Sequence, residues 1–273
     1  MNFFTPGEIT ENYSNTGAKK ATAPVLQLIL LGILAGFIIA VGSAATNTAT
    51  HTITDSAVSR IIYGLLFPFG LGMVIVLGAE LFTGNNMIII SVLDGKAKIS
   101  GMLRNWLIVY FANFFGAVLL AAGCAFFGQF NYSDGGLAVY TMNVALKKST
   151  MTFENAVVLG IFCNLLVCIG VLCSLSAKST SGRIIGAYIP IAFFVLSGFE
   201  HSIANMYYIS AGLFAKLVPS YAAKAIEMGV NLEMLTWSNM IFKNLIPVTL
   251  GNTIGGLLIG IIFWACYLRK TTK

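Results

Sequence analysis

Two apolar runs in this chain are too long to cross a membrane as single helices, and each is interrupted by the same short polar phrase. Residues 61–93, drawn as one helix, would reach ~50 Å at ~1.5 Å per residue, against a hydrocarbon core of ~30 Å. The phrase GAELFTGN sits inside that run at 78–85, and GFEHSIAN sits inside the second run, 184–212, at 198–205. Superposed, the two phrases pair Gly78 with Gly198, Glu80 with Glu200, Gly84 with Ala204 and Asn85 with Asn205, each pair 120 residues apart. Glycine, carboxylate and asparagine are poor choices for the middle of a lipid-facing helix. Each run therefore breaks there, and the break lines something other than lipid.

Composition agrees with a chain made for a membrane. It is 57% hydrophobic and 10% charged, against about 25% charged for an ordinary soluble domain. No polar stretch is long enough to hold a soluble domain. The formal charge of +6 suits loops facing anionic lipid and an anionic solute. No aromatic and basic surface module supports a nucleic-acid partner. All five cysteines fall in apolar runs with no CxxC, which reads as small core residues and predicts neither a metal nor a redox cofactor. The first fifteen residues lack a basic segment leading into an apolar one, so no cleavable signal peptide is expected.

Taken in order, residues 1–24 are polar, and Thr5-Pro6-Gly7-Glu8 is a capping box with proline at the first helical position. A short cytoplasmic N-terminal helix is expected there. A plain span follows at 25–46, then a polar loop, the broken run 61–93, and a plain span at 105–127. Residues 128–154 read as a longer polar loop. The pattern then repeats: a plain span at 155–175, the broken run 184–212, a polar loop at 216–243 with a short helix of its own, and a plain span at 246–268. Residues 269–273 form a basic cytoplasmic tail. An odd number of crossings in each half makes the second half enter from the opposite side. The transmembrane domain, 25–268, is thus predicted to be an inverted repeat of about 25–127 and 155–268, its broken helices meeting near the midplane. Gly32 with Gly36, Gly251 with Gly255 and Gly256 with Gly260 give faces for close helix packing. Both termini are predicted to be cytoplasmic. That side then holds Lys19, Lys20, Lys96, Lys98, Arg104, Lys178, Arg183, Arg269, Lys270 and Lys273, which is 10 of the 16 basic residues, in short loops where the bias counts.

The two phrases resemble those of the formate/nitrite transporter family, GAELFTGN its loop in the second helix and GFEHSIAN its loop in the fifth. The resemblance covers nearly the whole chain. It implies an all-α membrane protein with an aquaporin-like fold, six membrane-spanning helices of which 2 and 5 are broken, a pore through each protomer, and a homopentamer in the plasma or inner membrane. It also implies passage of small monovalent anions of weak acids: formate, nitrite and hydrosulfide. Within the family the chain looks most like the hydrosulfide branch.

His201 lies inside the second break, where polar side chains face a cavity; elsewhere in a membrane it would be a hydrogen-bonded packing residue. An ordinary pKa near ~6.5 lets histidine exchange a proton near neutrality. The resemblance places it at the pore centre, where sharing a proton would bring the anion close to neutral between apolar constrictions. A bare charge at the bilayer centre costs roughly 2.5–3.5 kcal/mol even on the lenient scale. Thr83 in the facing loop is a hydrogen-bond donor to the anion or a cap for the second half-helix. Similarity to the family assigns Leu71, Leu81 and Phe194 to a cytoplasmic-side constriction, and Phe67, Phe82 and Val167 to an outer one. It also places Asn164, Lys148 and Asn205 around the histidine; Lys148 is either a solvated charge of the outer loop or, folded into the pore mouth, draws anions there, and Asn205 either orients His201 or satisfies loose backbone. Glu80 and Glu200 invite a proton-relay account. Both repeats keep the carboxylate while one keeps the histidine, so they are read with Gly78, Gly84 and Gly198 as scaffold, accepting backbone N–H groups at the breaks. A neutral-solute or ammonium pore is the rival, but paired histidines in an aromatic cage and paired Asn-Pro-Ala motifs are both missing. Nothing resembles HExxH, GxSxG or a paired-aspartate site, which argues against an intramembrane enzyme.

Overall fold

The computed structural model describes residues 3–269, and the rest of the basic tail, with Lys270 and Lys273, lies outside the described residues. Helix α1 (Pro6–Thr22) starts at a complete capping box. Thr5 N–H donates to Glu8 Oε2 at 2.7 Å, and Glu8 N–H donates back to Thr5 Oγ1 at 3.4 Å. After it come α2 (Val25–Thr50), α3 (Ser56–Leu66) and α4 (Phe69–Val76), the last two bent apart at Pro68. Beyond the first break run α5 (Phe82–Asn85), a 3₁₀ turn, α6 (Ile89–Leu93) and α7 (Ile99–Phe126). The second half comprises α8 (Gly136–Ser149), α9 (Phe153–Ser176), α10 (Thr180–Ser197), α11 (Ser202–Leu217), α12 (Pro219–Glu227), α13 (Trp237–Asn239) and α14 (Ile246–Tyr267). Among the described residues six helical stretches are long and apolar enough to cross a membrane. They are α2, α3 with α4, α7, α9, α10, and α13 to α14 joined by a π-helical turn at Met240–Leu245.

The third span starts at Ile99 instead of 105, and the second broken run extends over 180–217 instead of 184–212. Two further differences have a physical reason. The first span continues past 46 to Thr50, because Ser43, Thr46 and Thr50 hydroxyls bond back to carbonyls of the preceding turn and hide their polarity inside the helix. The supposed polar loop 128–154 contains α8, whose Ala138, Met142, Ala145 and Ser149 repeat at helical spacing and are buried. Cys173 and Cys266 also lie on the protomer surface instead of in the core, unlike Cys124, Cys163 and Cys168.

The halves are built alike. Helix α2 packs along α7, and α9 along α14. In each pair a glycine lets two backbones touch. A Cβ at Gly116 would collide with the carbonyl oxygen of Ile33, and one at Gly255 with that of Ile161.

Candidate functional site

Both long runs break at a glycine whose φ is positive, +66° at Gly78 and +73° at Gly198. An L side chain there would be strained. Three residues outside any helix follow in each case before the next helix begins, and their backbone groups need partners within the protein. An asparagine from the last span of each half supplies them. Asn113 Nδ2 donates to Gly32 O (2.7 Å) and Glu80 O (2.9 Å), while its Oδ1 accepts from Phe82 N–H at 3.0 Å. Asn252 repeats this on Gly160 O (2.8 Å), Glu200 O (2.9 Å) and Ser202 N–H (2.9 Å). The Glu80 and Glu200 amides donate to Leu31 O and Leu159 O. Asn113 and Asn252 went unnoticed in the sequence. Their signal was a spacing of 139 residues, which also relates Asn105 to Asn244 and Gly116 to Gly255.

The two glutamates serve the scaffold through different partners from those expected. Their carboxylates accept from lysine and asparagine side chains, not from backbone N–H groups. Lys20 Nζ donates to Glu80 Oε1 at 2.8 Å and Asn85 Nδ2 to Glu80 Oε2 at 2.6 Å. Lys148 Nζ donates to both Glu200 oxygens at 2.9 and 3.0 Å, and Asn205 Nδ2 to Glu200 Oε2 at 2.6 Å. Asn85 and Asn205 bond onward to Asn105 and Asn244, both at 2.8 Å. The lysines lie on α1 and α8, the amphipathic helix that opens each half. Lys148 is thus a paired cation, not a solvated one.

Cavities flank the breaks. On the α1 face, one of about 540 Å³ is lined by Lys19, Lys20, Leu71, Glu80 and Leu81 among others. On the α8 face, one of about 160 Å³ is lined by Lys148, Phe67, Phe194, Glu200, His201 and Asn205 among others. Phe194 was expected beside Leu71 and Leu81; the structure sets it against Phe67, ring centroids 5.8 Å apart, and over the His201 ring at 6.0 Å. It is the repeat counterpart of Val74, which lines the other cavity, so each lines the vestibule of its own half. Phe82 and Val167 line neither cavity. Phe82 turns to Tyr110 and Trp106 on α7.

Between the cavities the two breaks meet in one hydrogen bond, 3.0 Å between Thr83 Oγ1 and His201 Nε2. His201 Nδ1 accepts the Ala204 N–H at 3.1 Å, capping α11. In the neutral ring the single hydrogen is then on Nε2 and points at Thr83 Oγ1. That oxygen has no other partner among the described residues, so the threonine's own hydrogen is uncommitted, although Thr83 lines neither cavity. Thr83 is fully buried and held from behind, its carbonyl accepting from Asn164 Nδ2 at 3.2 Å. Asn164 lies outside both cavities and donates to Asn86 Oδ1 and Asn252 O as well. Gly84 O, one residue on, accepts the Tyr13 hydroxyl of α1 at 2.8 Å. The centre thus offers a donor between apolar walls, with a lysine in each vestibule. It suits a small anion and offers a metal little: among the described residues no three His, Cys, Asp or Glu side chains gather.

A protein-family model described as formate/nitrite transporter matches residues 7–265. The formate channel FocA of Escherichia coli (strain K12) is 35% identical, with 97% of this chain and 95% of that protein covered. The formate channel BtFdhC of Bacillus thuringiensis is 31% identical over 99% and 98%. Among solved structures, one described as a pentameric formate channel with formate bound has a TM-score of 0.78 at 35% identity, covering 92% of this chain and 99% of that one. Another, described as an FNT family ion channel, has a TM-score of 0.81 at 25% identity over 95% and 98%.

Proposed function

The chain belongs to the formate/nitrite transporter family, and from that premise we propose that each protomer passes formate through a pore centred on Thr83 and His201. It is a multi-pass membrane protein whose relatives are channels and transporters, not enzymes. The relatives reported above carry formate in their names, which supports formate ahead of hydrosulfide. Hydrosulfide, also a small monovalent anion of a weak acid, is the second substrate of the same class.

The observation that carries this reading is the Thr83–His201 hydrogen bond between two vestibules, each with a lysine. An anion drawn in by Lys20 or Lys148 meets the Thr83 hydroxyl as donor, polarised by the imidazole N–H behind it. The imidazole keeps its own hydrogen, and the hydrogen bond from that hydroxyl spreads the anion's charge where it crosses the apolar walls. Leu71 and Leu81 narrow the path on one side of this centre, Phe67 and Phe194 on the other.

The α1 face is cytoplasmic in this proposal, on the strength of its lysines and arginines, and the assembly is a homopentamer like the similar structure described as pentameric. Flux of formate, hydrosulfide, nitrite, ammonium and glycerol into liposomes holding the purified protein tests the reading at two pH values. The anions are expected to pass faster than ammonium or glycerol; the reverse order overturns it. Undiminished formate flux in His201→Ala would remove the role of the imidazole.

A further inference from the structure

Among the described spans, α3 with α4 alone lines both cavities. Tyr63 and Phe67 face the one on the α8 side, and Leu71, Val74 and Ile75 the one on the α1 side. Between Phe67 and Leu71 the span bends at Pro68. A proline has no N–H, so the helix loses a bond there. Across the bend Gly70 N–H donates to Phe67 O at 3.0 Å, three residues back, and Gly72 N–H to Pro68 O at 3.4 Å. Leu65 O takes no backbone N–H among the described residues. The hydroxyl of Tyr188 on α10 donates to it instead, at 2.8 Å. Within a membrane such a carbonyl needs a donor from the protein itself.

Tyr188 is the repeat counterpart of Pro68, 120 residues on. Its ring stands edge-on to Phe69, centroids 5.1 Å apart. Helix α10 also meets the bent span on either side of this point. On the α4 side Ile184 lies where a Cβ on Gly72 would come within 3.4 Å, and on the α3 side Leu196 lies where one on Gly64 would come within 2.8 Å. Those apolar contacts have no preferred direction and let two helices slide, whereas a hydrogen bond fixes one carbonyl in place. Proline alone does not split a helix in this protein, since α10 runs unbroken through Pro190.

We infer that Tyr188, which lines neither cavity, is a positioning residue for permeation. Its hydroxyl locks the bend at Pro68 and so holds Phe67 and Leu71, one wall of each vestibule, at a spacing that limits the size of the anion admitted. The inference rests on the channel reading above and adds what sets the width of the passage. Without the hydroxyl, Leu65 O still needs a donor, and the span drifts toward straighter shapes in which the Phe69 N–H reaches it. Phe67 then moves off Phe194, and the gap tolerates a larger anion.

Formate and acetate test it, two anions of equal charge that differ by one methyl group. Flux of both is measured in liposomes holding Tyr188→Phe, Pro68→Ala or the double variant. Amide exchange at residues 69–72 of the same purified proteins reads the bend without reference to transport. In Tyr188→Phe the acetate-to-formate flux ratio is expected to rise by about threefold or more, and exchange at 69–72 to quicken by about fivefold or more. Pro68→Ala returns the missing N–H and closes the bend, so exchange there slows, and adding Tyr188→Phe to it changes neither reading. Lost packing of the tyrosine would give the same increment in both backgrounds. An unchanged ratio in Tyr188→Phe, or a change that persists in full beside Pro68→Ala, overturns the lock. Should Tyr188→Phe not fold, Pro68→Ala decides, and unchanged exchange at 69–72 overturns it. Exchange that shifts as expected in a protein that passes neither anion would instead sink the channel reading and leave the lock on the bend standing.

Discussion

At the break in the first repeat Leu81 occupies the place that His201 holds in the second, and Thr83 the place of Ile203, each pair 120 residues apart. Around these exchanged positions nearly everything else is kept: the glycine with positive φ, the asparagine clamp, the glutamate and its lysine. One break contributes a hydroxyl and the other an imidazole, and neither alone makes a donor aimed into a pore. The scaffold is duplicated while the chemistry is divided. A third difference supports the division. Position 164 is asparagine, and its counterpart 36 is a glycine pressed on the α7 backbone at Asn113. The second repeat thus gains a side chain that reaches Thr83.

The comparison breaks hardest at the clamps. Asn113→Ala and Asn252→Ala each strip three buried hydrogen bonds, at roughly 1–3 kcal/mol for each group left unpaired. Both are expected to lower stability by about 3 kcal/mol or more, and by similar amounts, in thermal or denaturant unfolding of purified protein. A gap wider than the spread between replicates would show that the two scaffolds are not equivalent. Next comes His201→Leu, which copies the first repeat into the second. Losing the imidazole leaves the buried Thr83 oxygen without its donor, roughly 1–3 kcal/mol. Formate flux per folded protein should fall by about 5- to 150-fold, and adding Leu81→His should not restore it, because Ile203 offers no hydroxyl. The ion pairs come third. Glu80→Gln and Glu200→Gln each leave a lysine without its carboxylate. Because the lysines are about one-fifth exposed, each loss is expected at about 1–2 kcal/mol, below a fully buried pair. If melting separates the two variants, the two vestibules are not equivalent.

The smallest effect lies at the start of α1. The Thr5 backbone N–H and hydroxyl hold the Glu8 carboxyl below its ordinary 4.5. A depressed folded-state pKa contributes stability that is complete above the unfolded value and is lost as pH falls through the folded one. The first turn of α1 should therefore loosen only below about pH 4.5, seen as faster amide exchange near Glu8, and Glu8→Gln should abolish that pH dependence. Helix α8 begins at Gly135 with no side-chain cap and should show no such step.

What could be read from the sequence was local. The helix breaks followed from run length and polar residues, and the start of α1 from four adjacent residues. The N–H that orients His201 could not be read, because it belongs to Ala204 in the first turn of α11 and the start of that helix sets the bond. The partners of Glu80 and Glu200 were hidden by distance, 60 residues to Lys20 and 52 to Lys148. Helix α8 was hidden by its alanines, whose burial gives a weak periodic signal between two polar ends. Phe194 was misplaced because an apolar side chain carries no mark of which vestibule it faces; the repeat register through Val74 carries it.

His201 caps α11 through Nδ1, so the ring cannot swing without unfastening the end of a sixteen-residue helix. The gap at the heart of the protein therefore has one stationary jaw. Whatever passes must be accommodated by the opposite jaw, the hydroxyl of Thr83, which turns about a single bond on the picosecond to nanosecond scale of side-chain rotation. Selection there is a matter of a spinning hydrogen, and it sets no slow step.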